Sequence, residues 1–406
     1  MTNVLIIPER NEKLKPLNVI ERGLSSDSID EIYVIDGWST DGTETLLQSK
    51  IPKLQKKFKK KIKLFHSGMR NTGKGGAMIT GIKKALQAYH SKILFLDADI
   101  TSVSPAWCDL LVKGVDKHKV DLVKGTFDRA PFDAQITRHI TRPLISMYFP
   151  EGRNISQPLG GELCMTKDLA KDMISMDVAP THTWGIDTFF TINSLTQGYK
   201  VAEQYLCQKS HNKKSTSALR EMLIECFDEA AKLIYYHNRH VEIPQVKKNL
   251  VKHIGRKEAV KRIGIDVRTM QYTEPSVEVE NFLGHVNNLT SNGIITSNRI
   301  NNVPLSKFAD RLLFLDLMYT RDAKKFKEKS KKFGKAEWIR TLDVLTRKYI
   351  HFNFATRYYE LIYLLWKVRS LCFMTNEAKT FDMAERNTAE QSKLAFDFAQ
   401  NIHSTI

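Results

Sequence analysis

Short apolar runs punctuate the first half of the chain, at residues 4–7, 32–36, 62–65 and 93–97. Each has the length of a strand, and an unbroken apolar run of that length is what a strand covered on both faces shows. Between them the pattern turns helical: Met78, Ile82, Leu86 and Tyr89 recur three and four residues apart. Residues 18–24 and 43–47 carry shorter versions of the same pattern. A further strand at 122–127 precedes a helix-like stretch at 134–147. Trp184-Gly185-Ile186-Asp187 then opens another helix, ahead of a strand at 200–206. Strands alternating with helices at this spacing predict an α/β domain with a doubly wound, mostly parallel sheet.

From about residue 217 the character changes. Helical patterns dominate at 221–236, 305–319, 338–349, 357–373 and 388–402, while the Asn- and Ser-rich stretch 274–304 reads as loops. The change places a boundary near residue 225. It gives an expected α/β domain over 1–225 and a mostly α-helical domain over 226–406.

Composition narrows the class. Of the 406 residues, 42% are hydrophobic and 26% charged, which indicates a packed globular chain and argues against disorder. No apolar stretch reaches the ~18 residues of a membrane span, and residues 361–366 read as part of a core helix. The opening runs straight into an apolar strand without a basic leader, so no secretory signal is expected. Five scattered cysteines, with no zinc spacing, suit buried thiols in a reducing cytoplasm.

The net charge of +17 raises the question of a nucleic-acid partner. Much of the excess sits in lysine-rich runs at 53–63 and 324–335, which read as solvated helix faces or turns. No zinc finger, basic heptad or aromatic-interleaved RNA motif accompanies them. A basic nucleic-acid-binding protein is the alternative from a different class. It would lose affinity steeply with salt, and it leaves the acidic strand ends unexplained.

Ligands of doubly wound sheets bind beyond the carboxyl ends of the strands. Pro8-Glu9-Arg10-Asn11, Asp36-Gly37, His66 and Asp97-Ala98-Asp99 all fall there. Asp97 and Asp99 form an oxygen-rich pair suited to Mg²⁺ or Mn²⁺ and, through the ion, to a diphosphate. The ordinary alternative is a turn with two solvated acids. Asn71-Thr72-Gly73-Lys74-Gly75-Gly76 leads from strand to helix, where glycines admit a phosphate and a helix N-terminus favours an anion. Lys74 is the candidate contact to that phosphate, and a plain Gly-rich helix cap is the competing reading. Asp36 suits a nucleoside hydroxyl or base edge, and Asp41 or Thr43 suits a helix cap. His211, just after the 200–206 strand, is either a structural or solvated histidine or a partner to a carboxylate at a metal. Asp187 and Glu162 are either helix-terminal acids or sugar contacts. Arg129 and Thr137 are candidates for an acceptor carboxylate.

Taken together, these residues resemble the GT-A glycosyltransferases. Leu96-Asp97-Ala98-Asp99-Ile100-Thr101-Ser102, Gln157-Pro158-Leu159-Gly160-Gly161-Glu162-Leu163 and Trp184-Gly185-Ile186-Asp187-Thr188 occur in the order seen in mannosylglycerate synthases. Gly73-Lys74-Gly75, Ile140-Thr141-Arg142 and Glu225-Cys226-Phe227 fit as well. The resemblance covers about residues 60–230. It implies a GT-A (Rossmann-like) domain followed by a helical one. It also implies a retaining transfer of mannose from GDP-mannose to D-glycerate, making the compatible solute mannosylglycerate.

By the same resemblance Asp99 and His211 hold the divalent cation, Mn²⁺ or Mg²⁺. Asp97 and Lys74 hold the nucleotide-sugar, with Pro8, Glu9 and Asp36 at the nucleoside. Asp187 meets the donor sugar near its reacting face, as the catalytic candidate. Arg129, Thr137 and the backbone at Leu159 and Gly160 orient the acceptor. The sequence departs from the family at Thr72, where Pro is usual, and its opening is closer to the glucosyl-3-phosphoglycerate synthases. A transfer of glucose from UDP- or GDP-glucose to 3-phosphoglycerate is therefore the alternative. Lys124, Arg138 or Arg142 would meet the extra phosphate. The expected protein is cytoplasmic, without a membrane span or nucleic-acid partner. A homo-oligomer through apolar C-terminal helix faces is expected too.

Overall fold

The computed structural model describes residues 2–70, 72–210, 217–245, 249–264, 275–296, 299–305, 311–318, 320 and 322–403. The chain folds into two compact units that interleave along the sequence. One comprises Met1–Arg129, Ile155–Asn212 and Lys248–Thr269; the other comprises Ala130–Asn154, Lys213–Lys247 and Met270–Ile406.

The first unit is built on eight strands: β1 (Asn3–Glu9), β2 (Glu31–Asp36), β3 (Lys61–His66), β4 (Lys92–Phe95), β5 (Leu122–Asp128), β6 (Leu163–Thr166), β7 (Val201–Gln208) and β8 (Val251–Ile254). They lie in the order β3-β2-β1-β4-β6-β5-β7-β8. All pairs are parallel except those made by β6, which runs against both β4 and β5. The doubly wound, mostly parallel sheet predicted from the apolar runs is present. Val4, Leu5, Ile6 and Ile7 of β1 are fully buried, as a central strand with both faces covered requires.

Pro8 fits this central strand because of where it falls. The Ile6 carbonyl accepts from Leu96, so the even-numbered positions of β1 turn their backbone toward β4. Pairing with β4 ends at Ile6, and Pro8 lies past it, where a missing N–H costs no ladder bond.

Helices Lys15–Leu24, Thr43–Phe58, Lys74–Gln87 and Pro105–His118 accompany the strands. The first opens with Pro near its N-terminus and buries Val19, Ile20 and Leu24 toward the sheet. Lys53, Lys56, Lys57, Lys59, Lys61 and Lys63 are exposed, as expected of a solvated lysine run.

The second unit is largely helical. Arg220–Tyr236, Pro275–Ser291, Lys335–His351, Tyr359–Asn376 and Phe381–His403 are its longer helices. Leu361 to Trp366 are all buried, as a core helix demands. The loop reading of 274–304 is corrected: Pro275–Ser291 is a helix, followed by a small three-stranded sheet. Val279, Phe282, Leu283 and Val286 form its buried stripe at helical spacing, and the asparagines that suggested a loop occupy its polar side. The helix-like stretch at 134–147 begins with a π-helical turn, Thr137–Thr141, before the α-helix Arg142–Tyr148. The five cysteines are buried thiols. No helix among the described residues is long and apolar enough to cross a membrane.

Candidate active site

The carboxyl ends of the central strands carry a row of ionisable residues. Register aligns Glu9 of β1 with Asp36 of β2, and Asp36 with His66 of β3. Asp36 is wholly buried, and both its oxygens accept from the Ser39 amide at 3.2 and 3.1 Å. The side chain expected at the nucleoside thus also shapes the loop beside it. His66 lies 3.7 Å from Asp36 and 3.1 Å from Glu44, and its ring stacks on Trp38 at 4.4 Å between centroids. Burial, followed by the neighbouring Asp36, pushes the Glu9 carboxyl up to about 9, so it holds its proton at neutral pH. Asp41 accepts from the Thr43 amide at 3.1 Å, but the cap position of that helix is held by Gly42 and not by Asp41 or Thr43 as expected, because Thr43 is already the first helical residue.

Beyond β4 lies a denser cluster. Lys74, the first residue of its helix, places its ammonium 2.8 Å from Asp97 Oδ1 and 2.9 Å from Asp187 Oδ2. Lys209, just past β7, lies 3.1 Å from Asp97 Oδ2 and 2.5 Å from Glu162 Oε1. Two cations and three carboxylates therefore form a continuous chain, Asp187–Lys74–Asp97–Lys209–Glu162. Burial alone would raise Asp97, but the charges of Lys74 and Lys209 hold it well below the ordinary carboxylate range. Burial would likewise lower Lys74, and Asp187 and Asp97 outweigh it and raise it. Glu162 is raised, because it is fully buried and Asp97 stands on the far side of the same ammonium.

Two oxygens of this chain are left over. Asp187 Oδ1 and Glu162 Oε2 are buried with no hydrogen-bond partner among the described residues. A buried carboxylate oxygen without a donor is costly and calls for a partner, such as a ligand group. The room for the cluster depends on Gly161: a Cβ there would stand 2.3 Å from Lys74 Nζ and 2.4 Å from Asp97 Oδ1. No larger residue fits without displacing the lysine.

The glycines around Lys74 have a different task from the one the sequence suggested. The amides of Gly75 and Gly76 donate to the carbonyls of Thr183 and His182, each at 3.1 Å. A Cβ on Gly75 would meet the Thr181 carbonyl at 2.2 Å. The glycines thus admit the 181–183 segment that leads into the helix of Asp187, and these two amides are spent on it. The reading of this helix start as an open phosphate cradle is corrected. Lys74 is the part of the motif that faces the cluster.

Asp99 is half-buried in the turn after Asp97. That turn is strapped by Thr101, whose amide and hydroxyl both reach the Ser210 carbonyl at 3.0 Å. The Ser210 amide in turn donates to Ser102 Oγ at 2.9 Å. His211, the next residue in sequence, lies outside the described residues, as does Asn71. Among the described residues, Asp36, Glu44 and His66 are the set whose ligand atoms approach within 4.8 Å of one another.

Arg129 follows β5 half-buried, close enough to Lys209 for its charge to work against that ammonium. Gly160 is buried and Leu159 half-buried in a turn closed by the Gly160 amide on the Gln157 carbonyl at 3.1 Å. Lys124 is fully buried and donates to the Gly160 carbonyl at 3.1 Å. Burial lowers its ammonium to about 8, and Asp187 and Glu203 oppose that shift. Thr137 belongs to the second unit, buried at the start of the π-helical turn. Arg138, in the same turn, is taken up by Thr388 Oγ1 at 2.8 Å and Glu385 at 2.7 Å.

Lys209 is the member of the cluster that sequence reasoning missed. The register between β5 and β7 slips between Thr126 and Asp128, and Cys207 has a positive φ of 63°. Such bulges re-aim the side chains that follow. The available signal was its place just past a strand end, two residues before His211.

A family model described as mannosylglycerate synthase, GT domain, matches residues 8–232, more than half of the chain. The chain belongs to this family. A mannosylglycerate synthase of Rhodothermus marinus is 34% identical over 219 residues, which make up 51% of this chain and 54% of that protein. One of Selaginella moellendorffii is 33% identical over 201 residues, 47% of each. The chain spans about half the length of these curated relatives. Among solved structures, a glucosyl-3-phosphoglycerate synthase from Mycobacterium tuberculosis, in complex with Mn²⁺, UDP and glucosyl-3-phosphoglycerate, is 20% identical with a TM-score of 0.49. The match covers 60% of this chain and 81% of that one. The mannosylglycerate synthase family match takes in Lys74, Asp97, Glu162, Asp187 and Lys209 and stops inside the helix Arg220–Tyr236.

Proposed function

We propose that this protein transfers a hexose from a nucleoside-diphosphate sugar to a small hydroxy acid with retention of anomeric configuration. Mannose from GDP-mannose and D-glycerate are the first choices. The observation that carries this reading is Asp187. Its Oδ2 is tied to Lys74, its Oδ1 is buried with no partner among the described residues, and it belongs to a charged chain that reaches Asp97 just past the strand end.

The chemistry follows from that placement. The bond between the sugar's anomeric carbon and the diphosphate oxygen breaks, and a bond to the acceptor hydroxyl forms on the same face. The hydroxyl proton passes to the departing phosphate oxygen. Lys74 is held charged by its two carboxylates and offers positive potential to the developing negative charge. Asp187 Oδ1 is available to the sugar as it acquires oxocarbenium character. Asp97 is kept ionised and orients the donor through Lys74 and Lys209. Asp99 would hold the divalent cation together with His211, which lies outside the described residues; a carboxylate and an imidazole are donors that suit Mn²⁺ or Mg²⁺. When bound there, the cation offsets charge on the leaving diphosphate. Arg129 and the Leu159-Gly160 backbone receive the acceptor's carboxylate and hydroxyls.

The test is a matrix of GDP- and UDP-sugars against D-glycerate and 3-phosphoglycerate, with Mn²⁺, Mg²⁺ or a chelator, reading the anomeric configuration of the product. Transfer from GDP-mannose to glycerate that a chelator stops, with retained configuration, supports the reading. Inverted product, or full turnover under chelation, overturns it.

A further inference from the structure

Beneath the turn 157–160 lie two charged side chains that the reaction above does not use. Lys124 on β5 and Glu203 on β7 are register partners on neighbouring parallel strands. Both are essentially inaccessible, at 0% and 1% exposure. Burying two charged groups within a sheet costs more than two apolar side chains of the same volume would, so stability alone does not account for them.

Their partners do. Glu203 Oε1 accepts from the amides of Ser156 at 3.0 Å and Gln157 at 2.7 Å. Its Oε2 accepts from the Ser156 amide at 2.9 Å and hydroxyl at 2.7 Å, and lies 3.3 Å from His253 Nδ1. Lys124 donates to the Gly160 carbonyl at the other end of the same turn. Thr191, one helical turn after Asp187, holds the middle by donating to the Pro158 carbonyl and the Asp187 carbonyl, each at 2.8 Å. The turn is thus gripped at its entrance by an anion, at its exit by a cation, and in between by the helix that carries Asp187. Gly160 lies so close to the sheet that a Cβ would meet the Gly125 carbonyl at 3.3 Å.

We propose that Lys124 and Glu203 are positioning residues that fix the backbone of the turn 157–160, and through it the place of the acceptor relative to Asp187. The inference rests on the hexosyl-transfer reading, in which that backbone receives the acceptor. Charge-assisted bonds to backbone groups are among the stronger restraints available to a turn. Without them, the turn drifts while the Lys74–Asp97 side of the site, held by other contacts, stays in place.

The experiment uses the full chain with three substitutions: Glu203→Gln, Lys124→Met and the milder Ser156→Ala. Acceptor and donor KM are measured separately, together with calorimetric binding of GDP and UDP. Glu203→Gln and Lys124→Met are expected to raise acceptor KM about tenfold or more, and Ser156→Ala about threefold, with nucleotide affinity unchanged within about twofold. A purely structural role would lower stability and shift both KM values together. Folded variants that keep the wild-type acceptor KM, or that lose nucleotide and acceptor in parallel, overturn the proposal. If the two buried substitutions prevent folding, Ser156→Ala decides: a selective rise supports the clamp, and an unchanged acceptor KM overturns it. Failure of the hexosyl-transfer reading shows separately, as wild-type protein that transfers to no glycerate-type acceptor.

Discussion

Two buried charge clusters, one in each unit, make an instructive contrast. In the helical unit, Arg369 is fully buried and every arm of its guanidinium is used. Nε donates to Gln391 at 3.0 Å, and Nη1 and Nη2 reach the two oxygens of Glu377 at 2.5 and 2.9 Å. In the α/β unit, the chain from Asp187 to Glu162 is buried at its two ends, with Asp97 part-exposed between them, and ends in two oxygens without donors among the described residues. The first arrangement is closed and holds helices together. The second keeps unspent hydrogen-bonding capacity where a ligand can use it. Burial of charge is common to these two clusters; what separates them is the hydrogen-bonding capacity left unspent in the second.

The contrast can be broken in several ways. The largest effect is expected from Asp187→Ala, which should lower turnover by about 10³-fold or more while leaving nucleotide affinity nearly intact. Steady-state rates beside calorimetric nucleotide binding check this, and surviving turnover removes Asp187 from its role. Arg369→Met should do the opposite. Leaving Glu377 unpaired is expected to cost about 3–5 kcal/mol of stability, while the turnover of the protein that remains folded is unchanged. Denaturant titration and activity at matched folded fraction separate the two effects.

Gly161→Ala probes the open cluster from its floor. The added methyl must displace Lys74, and a misplacement of that size is expected to cost about 100-fold in kcat, with a far smaller loss of thermal stability. A further effect concerns pH. Glu9 holds its proton up to about 9 in the folded chain, against an ordinary value of 4.5. Between these values the unfolded chain has already lost the proton, so this residue's contribution to stability falls as pH rises from 4.5 toward 9 and then levels off. Glu9→Gln should flatten that fall in a series of melting curves, and an unchanged slope would show that Glu9 ionises normally.

Much of the site was legible because its members sit at strand ends and helix starts, which local pattern marks. Asp36, Lys74, Asp97 and Asp187 were all found this way. In the eight-stranded sheet, β6 and β8 were missed; each is four residues, too short for alternation to register. The helix Pro105–His118 also went unread, although Ser104 and Pro105 signal its start. Lys209 was missed because its meaning lies in residues 47 and 112 positions away, Glu162 and Asp97.

The amino-acid order by itself settled the alternation of strands and helices, the apolar faces, and the family motifs at the mouth of the sheet. These depend on period and on residues near one another in sequence. Tertiary structure decided the rest. It showed that the glycines beside Lys74 admit a loop, that Lys209 joins the cluster through a bulge, and that Lys124 lies sealed beneath Gly160. Each of these is set by close approach of segments distant along the chain, where a clash of a few tenths of an ångström or a single unsatisfied oxygen determines what a side chain can do.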